Sequence, residues 1–381
     1  MVTDQKFIYL LLSNHRSPIG IEQQRDVIKR VFNKMEGYIL KETNYLVPNK
    51  INILIEESNL DIISLMRDMK SKYKDTKFII FVTEYLSKSF FGYLLNTFDL
   101  KTKLAHTYLR IISKIPLVDL ARINHNQDFL ISFYSKIIKT LKYSFINTLL
   151  MPLRLFFDKD GLINLTELTR REYCLRQSRD LYDLCISNCK SVNNTYEKFF
   201  KCKIILIPTF IDINKAKLAR KIKKQSYSSS LFFSGRLTKY RKEVLKNLYR
   251  LNATSASDLF LQYFKSIKEL KENKNDKYLK RIPLYELYIK QEKNWPYSSP
   301  MRTLMSIEEG HIPVNIGNFN DHDINSCAIV FKEDMYYLAI YKYISNVDIE
   351  NAFKNLDSYI MKFNLSQEPL LESTNLAISK L

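Results

Sequence analysis

The 381-residue sequence predicts an α/β fold in two units, and three observations predict it. Short apolar runs, each about the length of a buried strand, alternate with longer amphipathic stretches. The alternation is interrupted once, by a basic run and a Ser-rich stretch at 213–229, and then resumes. The length exceeds what one ordinary hydrophobic core organises.

In the first unit, Lys6–Leu12, Ile51–Ile55, Lys77–Val82 and Lys203–Pro208 read as strands, rich in Ile, Val and Phe and bounded by polar or turn residues. Ile21–Met35 and Leu60–Lys72 read as the helices between them. Strands alternating with helices indicate a parallel sheet covered on both faces. From Asp128 to Phe157 the pattern is long, helical, aromatic and basic, a segment suited to an anionic membrane surface. The second unit reads as strands Leu231–Ser234, Leu284–Ile289, Ile312–Ile316 and Ala328–Phe331, with helices Thr238–Leu251 and Pro300–Glu309. The expected domains are 1–212, a linker at 213–229, then 230–345. The segment 346–381 is expected to form helices that pack back across the junction.

Composition narrows the function classes. With 46% hydrophobic and 13% aromatic residues the chain buries enough to offset its ordering entropy, which excludes global disorder. Lys and Arg number 59 against 40 acidic residues, a formal charge of +19 that points to partners carrying phosphate: nucleic acid, an anionic membrane face or nucleotide-linked substrates. The five Cys (Cys174, Cys185, Cys189, Cys202, Cys327) form neither a CxxC pair nor an even disulfide framework, and read as buried thiols in a reducing compartment. The apolar run Phe7–Leu12 is too short for a secretory signal, and no run approaches the roughly 20 residues needed to span a bilayer. The expected location is the cytoplasm, or the inner face of a membrane held from its surface.

Two segments carry chemistry. In Ser230–Arg250 a strand ends at Ser234-Gly235-Arg236 before a helix. The missing side chain of Gly235 lets an anion approach the backbone amides, and Arg236 and Arg241 are placed to hold phosphate oxygens. In Trp295–Gly317, Ser299 is the expected N-cap and Pro300 the first helical residue. Arg302 then falls in the first turn, where a cation opposes the helix dipole. An anion held by free amides, the Ser298 or Ser299 hydroxyl and the Arg302 guanidinium accounts for it.

These two segments together resemble the C-terminal domain of GT-B glycosyltransferases, most closely the exostosin-like and spore-maturation-like groups. Ser299, Arg302, Gly310, Ile312, Pro313 and Val314 match the pattern S..R…G.IPV, and the similarity spans about residues 180–335. The resemblance implies two Rossmann-like domains facing across a cleft. It also implies a nucleotide-sugar donor bound in the second domain, and a glycan or lipid-linked acceptor at the first, with no cofactor and no required metal. The donor-binding residues it implies are Ser234, Gly235, Arg236, Arg241, Ser298, Ser299, Arg302 and Glu309. Many relatives carry a Glu five residues before the glycine; here that residue is Met305, and the acids are Glu308 and Glu309.

A general base would come from loops after the strands of the first unit. His15, Glu56, Glu57 and Glu84 occupy such loops, and His15 and Glu84 are the expected catalytic pair. No metal site is expected. The acidic stretch around Gly161 puts Phe156 where an EF-hand needs an oxygen ligand. Asp321-His322-Asp323 spells a DxD sequence but lies after the IPVNIG strand. The expected function is therefore sugar transfer in the synthesis of a cell-surface polysaccharide or glycoconjugate. The alternatives are a nucleic-acid-binding protein, for which no recognition motif is present, and an inactive transferase-like scaffold.

Overall fold

The computed structural model describes residues 6–12, 18–56, 59–83, 86–88, 93–95, 104–105, 107–108, 111, 169, 171–223, 227–234, 238–254, 261–264, 282–290, 300–317, 323–331, 340, 342 and 347–381. Two parallel α/β sheets succeed one another along the chain. The first consists of β1 (Lys6–Leu11), β2 (Tyr38–Thr43), β3 (Ile51–Ile55), β4 (Lys77–Val82), β7 (Leu184–Ser187) and β8 (Lys203–Leu206), in the order β2-β1-β3-β4-β7-β8. Between β4 and β7, β5 (Leu86–Lys88) and β6 (Tyr93–Leu95) form a separate antiparallel pair. The second sheet has β9 (Tyr227–Ser234), β10 (Leu261–Phe264), β11 (Ile282–Ile289), β12 (Ile312–Ile316) and β13 (Ile329–Phe331), in the order β10-β9-β11-β12-β13. All pairings within the two sheets are parallel.

Side-chain alternation explains why the first sheet is apolar on both faces. In β4, Ile79 and Phe81 enter one core while Phe78, Ile80 and Val82 enter the other. Helix α1 (Pro18–Lys34) covers the first face with Val27, Ile28, Val31 and Phe32. Helix α2 (Leu60–Lys72) covers the second with Met66 and Met69, and is capped by Asn59, whose side chain accepts from the Asp61 N–H. A short helix, α3 (Lys190–Tyr196), leads into a cluster in which Tyr196 stacks on Phe200 with ring centroids 5.3 Å apart.

The described residues of the expected linker 213–229 are regular structure. Its basic run is helix α4 (Ile213–Lys223), which buries Ala216 and Arg220, and its end is already strand, since β9 starts at Tyr227. Charge density hid one buried stripe on an otherwise solvated helix. Two edge strands were also not expected. β2 carries Lys, Glu and Thr and no fully buried side chain, while β10 has only four residues. Neither offers the apolar run by which a buried strand is recognised.

Helix α5 (Lys239–Thr254) follows β9, and α6 (Met301–Glu308) precedes β12. The chain ends in α7 (Ile349–Ser366), capped by the Asp348 side chain, and α8 (Glu368–Ser379). Near the α7–α8 corner, Asn364 both accepts from the Ile211 N–H and donates to the Ile211 carbonyl, at 2.9 Å each, and Gln367 accepts from the Thr209 N–H at 3.2 Å. These side chains replace a missing strand partner for the segment that leaves the first sheet. Side chains of α7 and the α7–α8 corner thus hydrogen-bond to Thr209 and Ile211, just after β8. One apolar core runs continuously from Ile8 and Ile28 through Ile207, Ile211 and Ala216 to Leu231, Val314 and Ile360.

Candidate functional site

In each sheet the strand order reverses once, between β1 and β3 and between β9 and β11. The crevice outside the carboxyl ends of the strands at such a reversal is where open parallel sheets hold ligands. In the second sheet, the side chains there come from the end of β9, from β11 and from the first turn of α6.

Ser234 ends β9. Its hydroxyl donates to Glu286 Oε1 at 2.6 Å, and its carbonyl accepts from Arg302 Nη1 at 2.5 Å. Arg302 stands in the first turn of α6 with its guanidinium 5.7 Å from the centre of the Tyr288 ring. Glu286 is buried in the middle of β11, and burial pushes its pKa up against the opposing effects of the Ser234 hydrogen bond and the Arg302 charge. Ser306 also favours the ionised form, yet neither Glu286 Oε2 nor the Ser306 hydroxyl completes a hydrogen bond.

Arg241 has a different task from the one expected. It is buried on α5, its Nε donates to the carbonyls of Ile289 (3.0 Å) and Lys290 (3.2 Å), and its guanidinium lies 5.6 Å from the centre of the Phe233 ring. It closes the end of β11 as a helix side chain capping strand carbonyls. Lys290 is buried beside it, with its Cε 3.1 Å from where a Cβ on Gly317 would lie. Gly317, at φ +103°, admits that stem because it has no side chain.

Glu309 also falls elsewhere. It caps the far end of α6, seven residues and about 10 Å along the axis from Arg302. Lys223 donates to its carbonyl, and the Tyr227 hydroxyl donates to that of Gly310. Pro300, expected as the first helical residue, has helical angles but sits at the N-cap, so the helix starts one residue later than expected, at Met301. Of the expected site residues, the described structure brings together Ser234 and Arg302, gives the Arg241 Nε to the end of β11, and puts Glu309 at the opposite end of α6 from Arg302, where its charge adds to the upward shift that burial gives Glu286. Gly235, Arg236, Ser298, Ser299, His15 and Glu84 lie outside the described residues, as do Glu57, the segment 128–157, the acidic stretch around Gly161, and Asp321 and His322. Glu286 and Lys290 were missed. The available signal was a carboxylate inside the apolar run LYELYI, followed at once by a lysine.

At the carboxyl edge of the first sheet, Glu56 follows β3 with φ +43°, an unfavourable conformation for a residue with a Cβ. The Thr83 N–H donates to its Oε1 at 2.7 Å, joined by the Thr83 hydroxyl, and Arg171 binds Oε2 at 2.8 Å. Gln24 of α1 donates to the Thr83 hydroxyl oxygen at 2.9 Å. With these donors in place Glu56 is a fastener between the ends of β3 and β4, not a free base. The last described residue before Glu84 is thereby anchored.

Among the described residues no group of three or more His, Cys, Asp and Glu side chains is placed to hold a metal ion. The five cysteines are free thiols, and burial pushes both Cys202 and Cys327 up to about 11. Among the same residues no helix is long and apolar enough to cross a membrane.

No protein-family model matches the chain, and no curated protein matches it. Several solved structures are similar over nearly the whole length. HepE of Anabaena in complex with UDP-glucose is 10% identical, with 98% of each chain covered and a TM-score of 0.40. The same protein in complex with UDP and glucose is 10% identical over 99% of this chain and 100% of the other, at 0.43. The α,α-trehalose-phosphate synthase (UDP-forming) of Burkholderia vietnamiensis is 8% identical over 98% and 99%, at 0.39.

Proposed function

We propose that this chain is a glycosyltransferase that takes a sugar from a nucleotide-linked donor held by the second sheet and passes it to a glycan or lipid-linked acceptor at the first. The observation that carries this reading is the setting of Arg302. A guanidinium in the first turn of a helix opposes the dipole, and here it is fixed at the sheet reversal by the Ser234 carbonyl. Burial raises the pKa of the neighbouring Glu286, so that carboxyl competes less with an incoming anion for the guanidinium.

A diphosphate leaving group is such an anion. Its developing charge would meet the guanidinium and the amides of the first turn of α6, already oriented and partly shielded from water. That chemistry needs no metal. The motif around Ser299, Arg302 and Gly310 further supports placement near the exostosin-like and spore-maturation-like groups. The chain's basic character suits an acidic glycan or lipid-phosphate acceptor, as in the assembly of a surface polysaccharide or glycoconjugate.

The test is a melting experiment with UDP-, GDP-, ADP- and CMP-linked sugars, followed by donor hydrolysis. A bound donor at a hundredfold excess over its Kd stabilises the fold by about 2.7 kcal/mol, a shift of several degrees. If all four classes leave Tm unchanged, and Arg302→Ala alters nothing, the reading is wrong. Donor binding without hydrolysis or transfer would identify an inactive scaffold.

A further inference from the structure

We propose that the outer faces of α4 and α7 together form a docking surface for an anionic lipid bilayer. Leu218 and Ile222 stand one turn apart on α4 and are 60% and 72% exposed, on the side away from the buried Ala216 and Arg220. Lys217 and Lys221 flank them, and α4 (INKAKLARKIK) contains no acidic residue.

The neighbouring helix extends the surface. Arg220 pairs with Asp357 and approaches the Phe353 carbonyl, while Ile211, just before α4, is held by Asn364. The two helices therefore lie side by side and antiparallel. Met361 and Leu365 follow Asp357 at four-residue steps along the edge that faces α4, and are 53% and 71% exposed.

The fold does not use these groups. Lys215 and Lys223 are engaged inside the molecule, with Glu308 and with the Glu309 carbonyl, whereas Lys217 and Lys221 have no ion pair among the described residues. An apolar patch flanked by Lys217 and Lys221, with the nearby Asp357 paired to Arg220, matches a bilayer with acidic headgroups. The Leu, Ile and Met side chains enter the acyl boundary while the lysine stems carry their ammonium groups out to the lipid phosphates. This surface is separate from the carboxyl edge of the sheets and does not depend on sugar transfer.

The experiment is co-sedimentation of the full chain with vesicles of equal parts phosphatidylcholine and phosphatidylglycerol, against vesicles of phosphatidylcholine alone. The expected result is binding to the mixed vesicles only. The double variants Leu218→Ser/Ile222→Ser and Lys217→Gln/Lys221→Gln should each lower the partition coefficient about tenfold. Their melting temperatures and donor-induced shifts should stay at wild-type values, because the four side chains are exposed. Absence of binding to mixed vesicles, equal binding to neutral ones, or binding by both variants as tight as wild type overturns the proposal. So does a dimer that the Leu218→Ser/Ile222→Ser variant dissociates while lipid binding persists, since the face would then belong to a second copy.

Discussion

Arg30 and Glu308, 278 residues apart, form a two-pronged ion pair between the first helix of the first unit and helix α6 of the second. The Nη2···Oε2 arm measures 2.8 Å, and the Arg30 Nη1 also reaches the Phe210 carbonyl. Lys215 and the Asp212 N–H complete the set around a carboxylate that is only 4% exposed. Glu308 thus ties α1, the segment leaving the first sheet, and α4 to the far end of α6, whose other end carries Arg302.

Removing one partner of a buried pair leaves an uncompensated charge, which costs more than the pair itself contributes. Arg30→Met should destabilise the protein by about 2–4 kcal/mol in urea denaturation. Lys215→Met should cost less than about 1 kcal/mol, because the Lys215 side chain is half exposed. Equal effects of the two changes would refute the ranking.

Gly310 adopts φ +85°, and a Cβ there would meet Tyr227 Oη at 2.9 Å, the Arg220 backbone nitrogen at 3.1 Å and the Ala219 carbonyl carbon at 3.2 Å. Two of these are backbone atoms of α4 that have no room to move. Gly310→Ala should therefore cost about 2–4 kcal/mol, from left-handed strain plus overpacking, read by thermal or chemical denaturation. A loss below about 1 kcal/mol would show that α4 yields.

Glu286 carries a pH signature. A carboxyl whose pKa is raised in the fold binds more protons folded than unfolded, so stability falls as pH rises from the ordinary carboxylate range through the raised value. In Glu286→Gln the amide oxygen still accepts from Ser234, and no charge is buried. The Tm of the variant minus that of the wild type should increase from about pH 4 toward neutrality. A difference that is flat or falls with pH would contradict the direction of the shift.

Arg241 and Arg302 looked alike in the sequence but should separate under mutation. Arg241→Met leaves the Ile289 and Lys290 carbonyls short of a donor and should lower stability by about 1–3 kcal/mol. Arg302→Ala should leave the melting temperature within a few degrees and weaken binding of a nucleotide diphosphate about tenfold or more. The checks are denaturation for the first and a titration with each nucleoside diphosphate for the second.

How far the chain could be read by eye varied with the kind of information each residue carries. Buried strands announced themselves: Ile51–Ile55, Lys77–Val82 and Ile312–Ile316 are apolar runs closed by polar residues, and their ends fall where the runs end. The half-exposed β2 did not, since its burial comes from pairing with β1 and not from its own composition. The two sheets and Arg302 at the start of α6 were therefore determined by local sequence, through apolar period and helix-start chemistry. Only the tertiary structure decided that Arg241 caps a strand, that Glu308 binds Arg30, and that Glu286 sits beneath Arg302. The physical reason is that an isolated charged residue looks the same whether its partner is water, a ligand, or a side chain 278 residues away. The partner is chosen by packing, which brings distant segments to hydrogen-bond distance, and that choice is absent from any local window.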